Sequence, residues 1–388
     1  MIRVTFLLHS LRVGGAEVQL SALARGLDRD EFTPTVISFY DDGELIEELR
    51  GAGIPVVTLG MRGRSGLAGF LFRLVRAVRE GRPDVVYSYL DFPNVVAAIL
   101  KPITRGASLI WGIRASDMRL EERNRTWRMI FAVERLLAGT ADRIICNSWA
   151  GRGHLEDSRF PSAAMTVIGN GIDTDRFCPD AAARARGRAE FSYSDEHMVI
   201  GLIARLDPMK DHQTFLRAAA ELARDLPLAR FICVGDGPAP YAGELRRLAD
   251  SLGLTDRLIW TGARSDIPEL LNAFDIATLS SAFGEGFPNA VGEGMATALP
   301  YVTTDVGDAA RVVGDAGTVV PIASPSDLAG AWRDMAALSP QERAEIGRAA
   351  RARVVANFPR QIMIDETSAQ LHDVCRPDAG AVSRRETV

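Results

Sequence analysis

Cysteine is scarce in this sequence of 388 residues, and the four cysteines stand far apart. Cys146, Cys178, Cys233 and Cys375 form no C-x-x-C pair, which argues against a disulfide framework and a thiolate metal site. No run of 18 apolar residues occurs, so no membrane-spanning helix is predicted. The first apolar run, Val4 to Leu8, is too short for a signal peptide. These absences predict a cytoplasmic protein.

Lysine is nearly absent as well. Only two of the 45 basic residues are lysines, Lys101 and Lys210. The formal net charge of −5 is too mild to indicate a polyanionic partner, so no nucleic acid is expected. Between residues 50 and 135, however, 15 basic residues stand against 7 acidic ones. Such a block suits anionic lipid headgroups or a phosphorylated substrate, and a solvated helix face is the alternative.

Short apolar runs alternate with amphipathic stretches along most of the chain. Continuous apolar strands separated by helices are typical of a parallel sheet covered on both faces. A segment rich in Gly, Asp and Pro, residues 169–179, interrupts the alternation, which then restarts. The sequence therefore predicts an α/β fold of two doubly wound, Rossmann-like domains facing one another across a cleft. The ligand is expected at the carboxyl ends of the strands.

The breaks in the pattern place the domain boundaries. Residues 1–178 are expected to form the first domain and residues 179–358 the second. Residues 359–375 follow as a further helix. Residues 376–388 lack apolar periodicity and are expected to be a disordered tail.

A Gly-Gly-Ala-Glu sequence follows the first predicted strand. Gly15 stands before a helix, where backbone N–H groups can approach a phosphate closely. The spacing of a dinucleotide-binding fingerprint is absent. A ligand loop and a tight strand-to-helix turn both remain open.

Two cations follow the first strand of the second domain. The strand ends at Ala204, Arg205 comes next, and Lys210 precedes Asp211, a residue suited to cap the following helix. A guanidinium and an ammonium group beside a helix N-terminus suit a diphosphate. The alternative is a pair of solvated loop residues.

Glu285 and Glu293 stand eight residues apart in S-S-A-F-G-E-G-F-P-N-A-V-G-E. With Pro288 at the first position of a helix, Glu285 lies in a loop and Glu293 in the second helical turn. A carboxylate accepts two hydrogen bonds, which matches the vicinal hydroxyl groups of a ribose or a hexose. The amides of residues 287–290 are further candidates for binding hydroxyl groups.

These motifs resemble those of the retaining GT-B glycosyltransferases of family 4 (glycosyl transferases group 1). The resemblance covers roughly residues 1–375, and it includes V-I-G-N-G-I-D-T-D-R-F at 167–177 and F-I-C-V-G-D-G-P at 231–238. It implies that the last helix crosses back onto the first domain and that the first domain takes the acceptor. The roles that it implies are the donor diphosphate for Gly15, Arg205 and Lys210, the ribose for Glu293, the transferred sugar for Glu285, Phe287, Pro288 and Asn289, and the base for the loop with Gly262 and Arg264.

The sequence departs from the family pattern at two positions. Many members carry a histidine near the reacting carbon where W-G-I-R-A-S-D places Arg114. An arginine is no general base at neutral pH, but it can neutralise a departing phosphate or orient an acceptor, and we assign Arg114 as a catalytic candidate beside Glu285. The alternative is a structural contact between Arg114 and Asp117. Arg311 stands where an acidic residue is frequent.

No metal ion and no cofactor other than the sugar nucleotide are expected. Asp28 to Asp30 and Asp173 to Asp175 match the D-x-D metal signature of another glycosyltransferase fold, but neither ends a strand, and both are interpreted as turn acids. Arg205 and Lys210 would replace a metal ion electrostatically.

The resemblance implies a glycosyltransferase that moves a sugar from a nucleoside-diphosphate donor to an acceptor hydroxyl group. The expected acceptor is a glycan or lipid-linked glycan of bacterial surface polysaccharide assembly. A basic amphipathic helix around Arg73, Arg76 and Arg79 is a candidate for peripheral contact with the inner membrane surface. A nucleotide-sugar 2-epimerase and a non-catalytic sugar-nucleotide-binding protein are the rival functions.

Overall fold

A computed structural model describes residues 1–61, 66–104, 106–117, 119 and 125–375. The chain forms two compact units. The first unit consists of Met1–Gly171 together with the chain from Arg360 onwards, and the second is Ile172–Pro359. The expected tail 376–388 lies outside the described residues.

The first unit is built on a seven-stranded parallel sheet in the order β3-β2-β1-β4-β5-β6-β7. Helices cover both faces, and each face carries its own apolar core. The strands are β1 Ile2–Leu8, β2 Phe32–Ser38, β3 Val56–Thr58, β4 Val85–Tyr89, β5 Ser108–Ile113, β6 Arg143–Cys146 and β7 Met165–Val167; the helices are α1 Gly15–Gly26, α2 Leu45–Gly51, α3 Leu67–Gly81, α4 Asp91–Leu100, α5 Arg125–Leu137 and α6 Trp149–Asp157.

The second unit repeats this plan on a six-stranded parallel sheet in the order β10-β9-β8-β11-β12-β13. It too has an apolar core on each face. Its elements are α7 Ala181–Glu190, β8 Met198–Ile203, α8 His212–Asp225, β9 Ala229–Val234, α9 Ala239–Ser251, β10 Leu258–Gly262, α10 Ile267–Ala273, β11 Ile276–Leu279, α11 Asn289–Ala296, β12 Tyr301–Thr304, α12 Ala309–Val313, β13 Thr318–Val320, α13 Pro325–Ala337 and α14 Pro340–Asn357.

The last helix, α15 (Arg360–Cys375), belongs to the first unit. Its buried residues Met363, Ile364 and Leu371 join the core between the sheet and α1. The chain therefore returns to the first unit, as the family resemblance implied.

The two units meet in sequence at Gly171–Ile172, seven residues before the boundary that we expected after residue 178. The reason lies in residues 172–178, which already pack in the second unit. Ile172 forms a bridge to Pro359, and the buried Phe177 lies in the core with Phe274. Most of the segment rich in Gly, Asp and Pro, which we interpreted as the break between the domains, therefore belongs to the second unit.

In each sheet the direction of strand succession reverses once, between β1 and β4 and between β8 and β11. Ligands of open α/β sheets bind at the carboxyl ends of the strands at such a reversal. Within the part of the chain that the structure describes, no helix is long and apolar enough to cross a membrane.

Candidate functional site

The reversal in the second unit brings together the loops that follow β8 and β11. Arg205 lies two residues beyond the end of β8, and its side chain is exposed. Backbone hydrogen bonds fix this loop against the loop after β9: Ala204 N donates to Val234 O over 2.9 Å, and Leu206 N donates to Asp236 O over 2.9 Å. No ion pair engages Arg205 among the described residues. Its guanidinium group is therefore open to an anion at this edge of the sheet.

Lys210 ends a short 3₁₀ turn, Pro208–Lys210, which Asp207 caps by accepting a hydrogen bond from Met209 N over 2.9 Å. Asp211 caps α8, as the sequence predicted, and its Oδ1 accepts from Thr214 N over 3.1 Å. Two successive caps thus fix the backbone on both sides of the Lys210 side chain. That side chain is only 17% exposed.

The Nζ of Lys210 donates a hydrogen bond to Oε1 of Glu285, which is 8% exposed. The same oxygen accepts a hydrogen bond from Ser281 Oγ over 2.6 Å. The preceding hydroxyl, Ser280 Oγ, donates to Lys210 O over 2.8 Å. The loops after β8 and β11 are therefore joined through both side chains and backbone. Because the pair is buried, removing only one of its two partners would leave an unpaired charge and destabilise the fold.

The turn that follows β12 packs against the backbone of Glu285. Asp308 N donates to Gly286 O over 3.1 Å. Gly307 adopts φ +55°, and a Cβ atom on it would lie 2.2 Å from Glu285 O. Only glycine fits so close a backbone approach. The segment after Tyr301, whose sequence differs from the family pattern, thus supports the Glu285 loop from its backbone.

Phe287, Pro288 and Asn289 form the entry to α11. Pro288 is the N-cap, one position before the first helical position at which we expected it. The ring of Phe287 is buried and packs edge-to-face on Phe358 at 5.3 Å between centroids. The ring of Phe287 therefore anchors the loop in the core, and only its backbone is left as a candidate for contact with a ligand. The amides of the first turn of a helix favour electronegative groups such as hydroxyl oxygens.

Glu293 lies in the second turn of α11 and is partly buried. In the described part of the chain its carboxylate makes no hydrogen bond or ion pair. Burial raises the pKa of Glu293 to about 7, and the Arg176 charge opposes that rise. A buried carboxylate without donors is a group that a ligand hydroxyl can satisfy.

Tyr301, the first residue of β12, connects the two acids electrostatically. Its pKa is raised well above the ordinary value by burial first, and then by the Glu293 and Glu285 carboxylates. Both acids therefore lie close enough to this buried phenol for their charges to act on it. The structure brings Lys210, Glu285 and Glu293 into one neighbourhood, with Arg205 on the adjoining loop.

The loop after β10 holds Gly262 and Arg264. Gly262 has a positive φ of +72°. The Arg264 guanidinium is engaged by two acids: Nε donates to Asp266 over 2.8 Å and Nη1 donates to Glu190 over 2.6 Å. Arg264 thus fixes the shape of the loop with its side chain. Backbone groups are what this loop can present to a base.

In the first unit, Gly15 is the first residue of α1, directly after the N-cap Gly14. It follows β1 at the reversal of that sheet. A helix of 12 residues that begins there directs its positive end toward the same edge. The position is compatible with both a ligand loop and a strand-to-helix turn.

Arg114 directly follows β5. It does not contact Asp117, so the alternative prediction of a structural contact between these two residues is wrong. Its Nη2 donates to Tyr87 Oη over 2.9 Å, and its Cζ lies 4.0 Å from the centroid of the Tyr89 ring. Asp117 instead accepts from Arg119 N over 2.8 Å, closing a local turn. Two tyrosines, 25 and 27 residues before Arg114, hold the guanidinium in place of a carboxylate.

Sequence reasoning missed Ser281, Tyr301 and Tyr87. Ser281 stood within the quoted motif, four residues before Glu285, and hydroxyl groups beside a carboxylate are common partners. The tyrosines had no local signal, because sheet order alone brings Tyr301 near the two acids of the second unit and Tyr87 to Arg114 in the first unit. The two D-x-D segments form turns as predicted: Asp30 N donates to Asp28, and Arg176 N donates to Asp173.

Two family descriptions match the chain in succession. "Glycosyltransferase Family 4" covers residues 13–176, and "Glycosyl transferases group 1" covers residues 197–337. The chain is 25% identical over 387 residues to EpsF of Bacillus subtilis, which is named as a glycosyltransferase, spanning 98% of this chain and 95% of that one.

A second relative is the GDP-mannose-dependent alpha-(1-6)-phosphatidylinositol monomannoside mannosyltransferase of Mycolicibacterium smegmatis. It is 30% identical over 292 residues, which are 72% of this chain and 74% of the relative. Among solved structures, HepE of Anabaena in complex with UDP-glucose aligns with a TM-score of 0.86 and 26% identity over 96% of this chain and all of HepE. The fold is that of the GT-B glycosyltransferases, and the chain belongs to glycosyltransferase family 4.

Proposed function

We propose that this chain is a retaining glycosyltransferase that moves a sugar from a nucleoside-diphosphate donor to an acceptor hydroxyl group. The observation that carries the proposal is the Lys210–Glu285 pair at the carboxyl ends of β8 and β11. A cation and an acid in direct contact at this edge are suited to a substrate with a diphosphate next to a polyhydroxylated ring.

The hydrogen bonds of the pair determine what is left for a donor. Glu285 Oε1 accepts from both Lys210 and Ser281, and Oε2 has no partner in the described chain, so Oε2 is the atom that accepts from sugar hydroxyl groups. Lys210 Nζ uses one of its three N–H bonds on Glu285. The other two, with the Arg205 guanidinium, bind the diphosphate. No metal ion is then required for charge neutralisation.

The remaining donor contacts are those that the family resemblance implies. Glu293 accepts hydrogen bonds from the ribose diol, the amides at Phe287–Asn289 bind further sugar hydroxyl groups, and the loop at Gly262–Arg264 contacts the base. Gly15 approaches the diphosphate from the first unit. The mannosyltransferase named above is described as GDP-mannose-dependent, whereas HepE was crystallised with UDP-glucose, so the base is left to experiment.

During transfer the diphosphate departs and its charge grows. Lys210 and Arg205 stabilise that charge more strongly in the transition state than in the bound donor. Since no described side chain at the site is placed as a covalent nucleophile, we propose front-face attack with retention. The acceptor, bound by the first unit, is a glycan or lipid-linked glycan of bacterial surface polysaccharide assembly on the cytoplasmic side.

Peripheral membrane contact through α3 is part of the proposal, with a changed set of residues. Arg73 Nε donates to Leu59 O over 2.8 Å and Arg76 Nε to Glu80 over 2.8 Å, so these two cations are engaged within the fold. Phe72, on the same helix, is 71% exposed. An exposed aromatic ring on a basic helix is the feature that inserts at a lipid interface.

A thermal-shift screen with UDP-, GDP- and ADP-sugars tests the donor, followed by product analysis with that donor. A rise in the melting temperature with one donor, and transfer or slow hydrolysis, supports the proposal. An epimeric product from the donor alone would establish the epimerase. Binding without any turnover would establish a non-catalytic binding protein.

A further inference from the structure

The carboxyl edge of the first sheet holds a guanidinium group that has no carboxylate partner. Arg114 comes directly after β5, and within the described chain it forms no ion pair. Its contacts are the Tyr87 hydroxyl and the face of the Tyr89 ring, 4.0 Å from Cζ. Both tyrosines are fully buried. This partly buried cation therefore lacks, among the described residues, the counter-ion that buried charges ordinarily have.

The two tyrosines give the guanidinium one orientation. Their rings lie 4.8 Å apart, and both pack over Gly112 on the neighbouring strand. A Cβ atom on Gly112 would approach within 3.2 Å of the Tyr89 ring and 3.3 Å of the Tyr87 ring, which would displace both. These two contacts use one N–H group of Arg114, and no hydrogen bond to a described residue engages the others.

A second buried group beside Arg114 also lacks a partner. Asn147 follows β6, is 3% exposed, and its Oδ1 makes no hydrogen bond. The Nε of Arg114 is likewise buried without an acceptor. Because Ile113 pairs with Cys146, and Asn147 N donates to Ile113 O over 3.0 Å, Arg114 and Asn147 are neighbours on the same side of the sheet.

The two unsatisfied groups specify complementary chemistry. Planar N–H donors of arginine match the oxygens of a phosphate or a carboxylate, and an amide oxygen accepts from a hydroxyl group. Buried polar groups without partners in a folded protein are satisfied by a ligand or by water. A molecule that carries an oxyanion and a hydroxyl group close together meets both requirements.

We propose that Arg114 and Asn147 form an acceptor subsite for a sugar that bears a phosphate or carboxylate group, an inference that rests on the proposed glycosyltransferase function. Arg114 binds the oxyanion and Asn147 accepts from a neighbouring hydroxyl group. The acceptor is thus an acidic or phosphorylated glycan. The same oxyanion chemistry has a second source, the phosphate of the donor, and the experiment must separate the two.

The probes are glucose 6-phosphate and glucuronate, with glucose as the uncharged control, and binding is followed by NMR of the wild-type chain. We expect both anionic sugars to bind at least about tenfold more tightly than glucose. Arg114→Gln should abolish that preference. Equal binding of the three sugars to the wild-type chain would overturn the proposal.

Asn147→Asp provides a second variant in case Arg114→Gln fails to fold. The new carboxylate supplies the counter-ion that Arg114 lacks, so we expect a higher melting temperature together with loss of the preference for anionic sugars. Retained anion preference in this variant would contradict the subsite.

Donor affinity in the same samples separates the two sources of the oxyanion. If Asn147→Asp weakens donor binding tenfold and leaves sugar-phosphate binding intact, Arg114 serves the donor phosphate and the acceptor subsite is refuted. If the wild-type chain binds no sugar nucleotide, the proposed function fails, whereas the test with the anionic sugars still gives its own answer.

Discussion

The ammonium group of Lys210 is hydrogen bonded to the carboxylate of Glu285, 75 residues further along the chain. Neither side chain is substantially exposed. The two residues that we assign to different parts of the donor are therefore already paired with each other before any donor binds. A substitution at either position changes stability as well as binding.

Lys210→Met should destabilise the chain by about 3 kcal/mol, since it leaves the buried Glu285 charge unpaired. The double variant Lys210→Met with Glu285→Gln should recover most of that loss, because no charge then remains. Urea unfolding of the three chains measures both effects. Transfer activity should be lost in the double variant despite its recovered stability.

Equal unfolding midpoints for wild-type and Lys210→Met would mean that solvent already compensates the Glu285 charge. Full activity in the double variant would remove the donor assignment. Either outcome is visible without knowledge of the acceptor, because donor hydrolysis serves as the activity.

Glu293 is expected to make the fold less stable as pH rises. Its pKa is about 7, above the ordinary 4.5, so the unfolded chain ionises first and the free energy of unfolding falls between pH 4.5 and 7. Glu293→Gln removes this effect and should stabilise the chain at pH 8 by about 3 kcal/mol, with little change at pH 4.5. Unfolding curves at the two pH values measure the difference.

The same carboxylate must be ionised to accept hydrogen bonds from a ribose. Donor affinity of the wild-type chain should therefore rise about tenfold from pH 6 to pH 8, whereas Glu293→Gln binds weakly at both. Calorimetry with the donor found in the screen gives the two affinities. A flat wild-type profile would show that Glu293 does not bind in its ionised form.

His212 is expected to cause acid sensitivity. It is fully buried, neither ring nitrogen has a partner, and burial, followed by the Lys210 charge, lowers its pKa to about 4. Below pH 6.5 the unfolded chain takes up a proton that the folded chain excludes, so stability falls as pH drops toward 4. His212→Met should reduce this loss by about 2 kcal/mol at pH 5.

The comparison needs only the difference between the two chains at pH 7.5 and pH 5, which cancels the other titrating groups. If both chains lose the same stability on acidification, His212 is protonated in the folded state and finds a partner there.

The strands were predictable from the sequence because they are continuous apolar runs between turn signals. The apolar runs Ile2–Leu8, Ile276–Leu279 and Tyr301–Thr304, for example, are strands β1, β11 and β12. Helix α4 carries a weaker signal, because D-F-P-N-V-V-A-A-I-L is apolar on most sides.

The site residues also divide into those that the local sequence indicates and those that it does not. Arg205, Lys210, Glu285 and Glu293 were visible as local motifs at the ends of predicted strands. Their pairing was not, since the Lys210–Glu285 contact depends on β8 and β11 being neighbours in the sheet. The Arg114–Tyr87 contact likewise depends on β4 lying beside β5.

Gly307→Ala should disturb the Glu285 loop from a distance. The new Cβ atom would lie 2.2 Å from Glu285 O and would force the backbone apart. We expect a destabilisation of about 3 kcal/mol and a tenfold or greater loss of donor affinity.

Gly253→Ala is the matched control, since Gly253 also has positive φ, +74°, but nothing lies within 4 Å of a Cβ atom there. That substitution should cost only about 1 kcal/mol of backbone strain and leave donor affinity as it is. Similar effects of the two alanines on donor affinity would contradict the supporting role of Gly307.

Phe72→Glu should weaken binding to anionic liposomes, because it places a charge where an exposed ring would enter the lipid interface. Sedimentation with phosphatidylglycerol vesicles at low salt measures the bound fraction. Val319→Glu, on the second unit and 38% exposed, serves as the control. Absence of wild-type sedimentation at low salt would remove the membrane hypothesis.

The return of α15 to the first unit has a consequence for biosynthesis. Met363, Ile364 and Leu371 fill a core whose other walls come from the first 171 residues, so that core stays open until the whole of Ile172–Pro359 has left the ribosome. The second unit, by contrast, has its two ends side by side at Ile172 and Pro359 and can close as soon as it is made. The second unit should therefore mature first during translation, and the first unit, which was begun earlier, should be completed last.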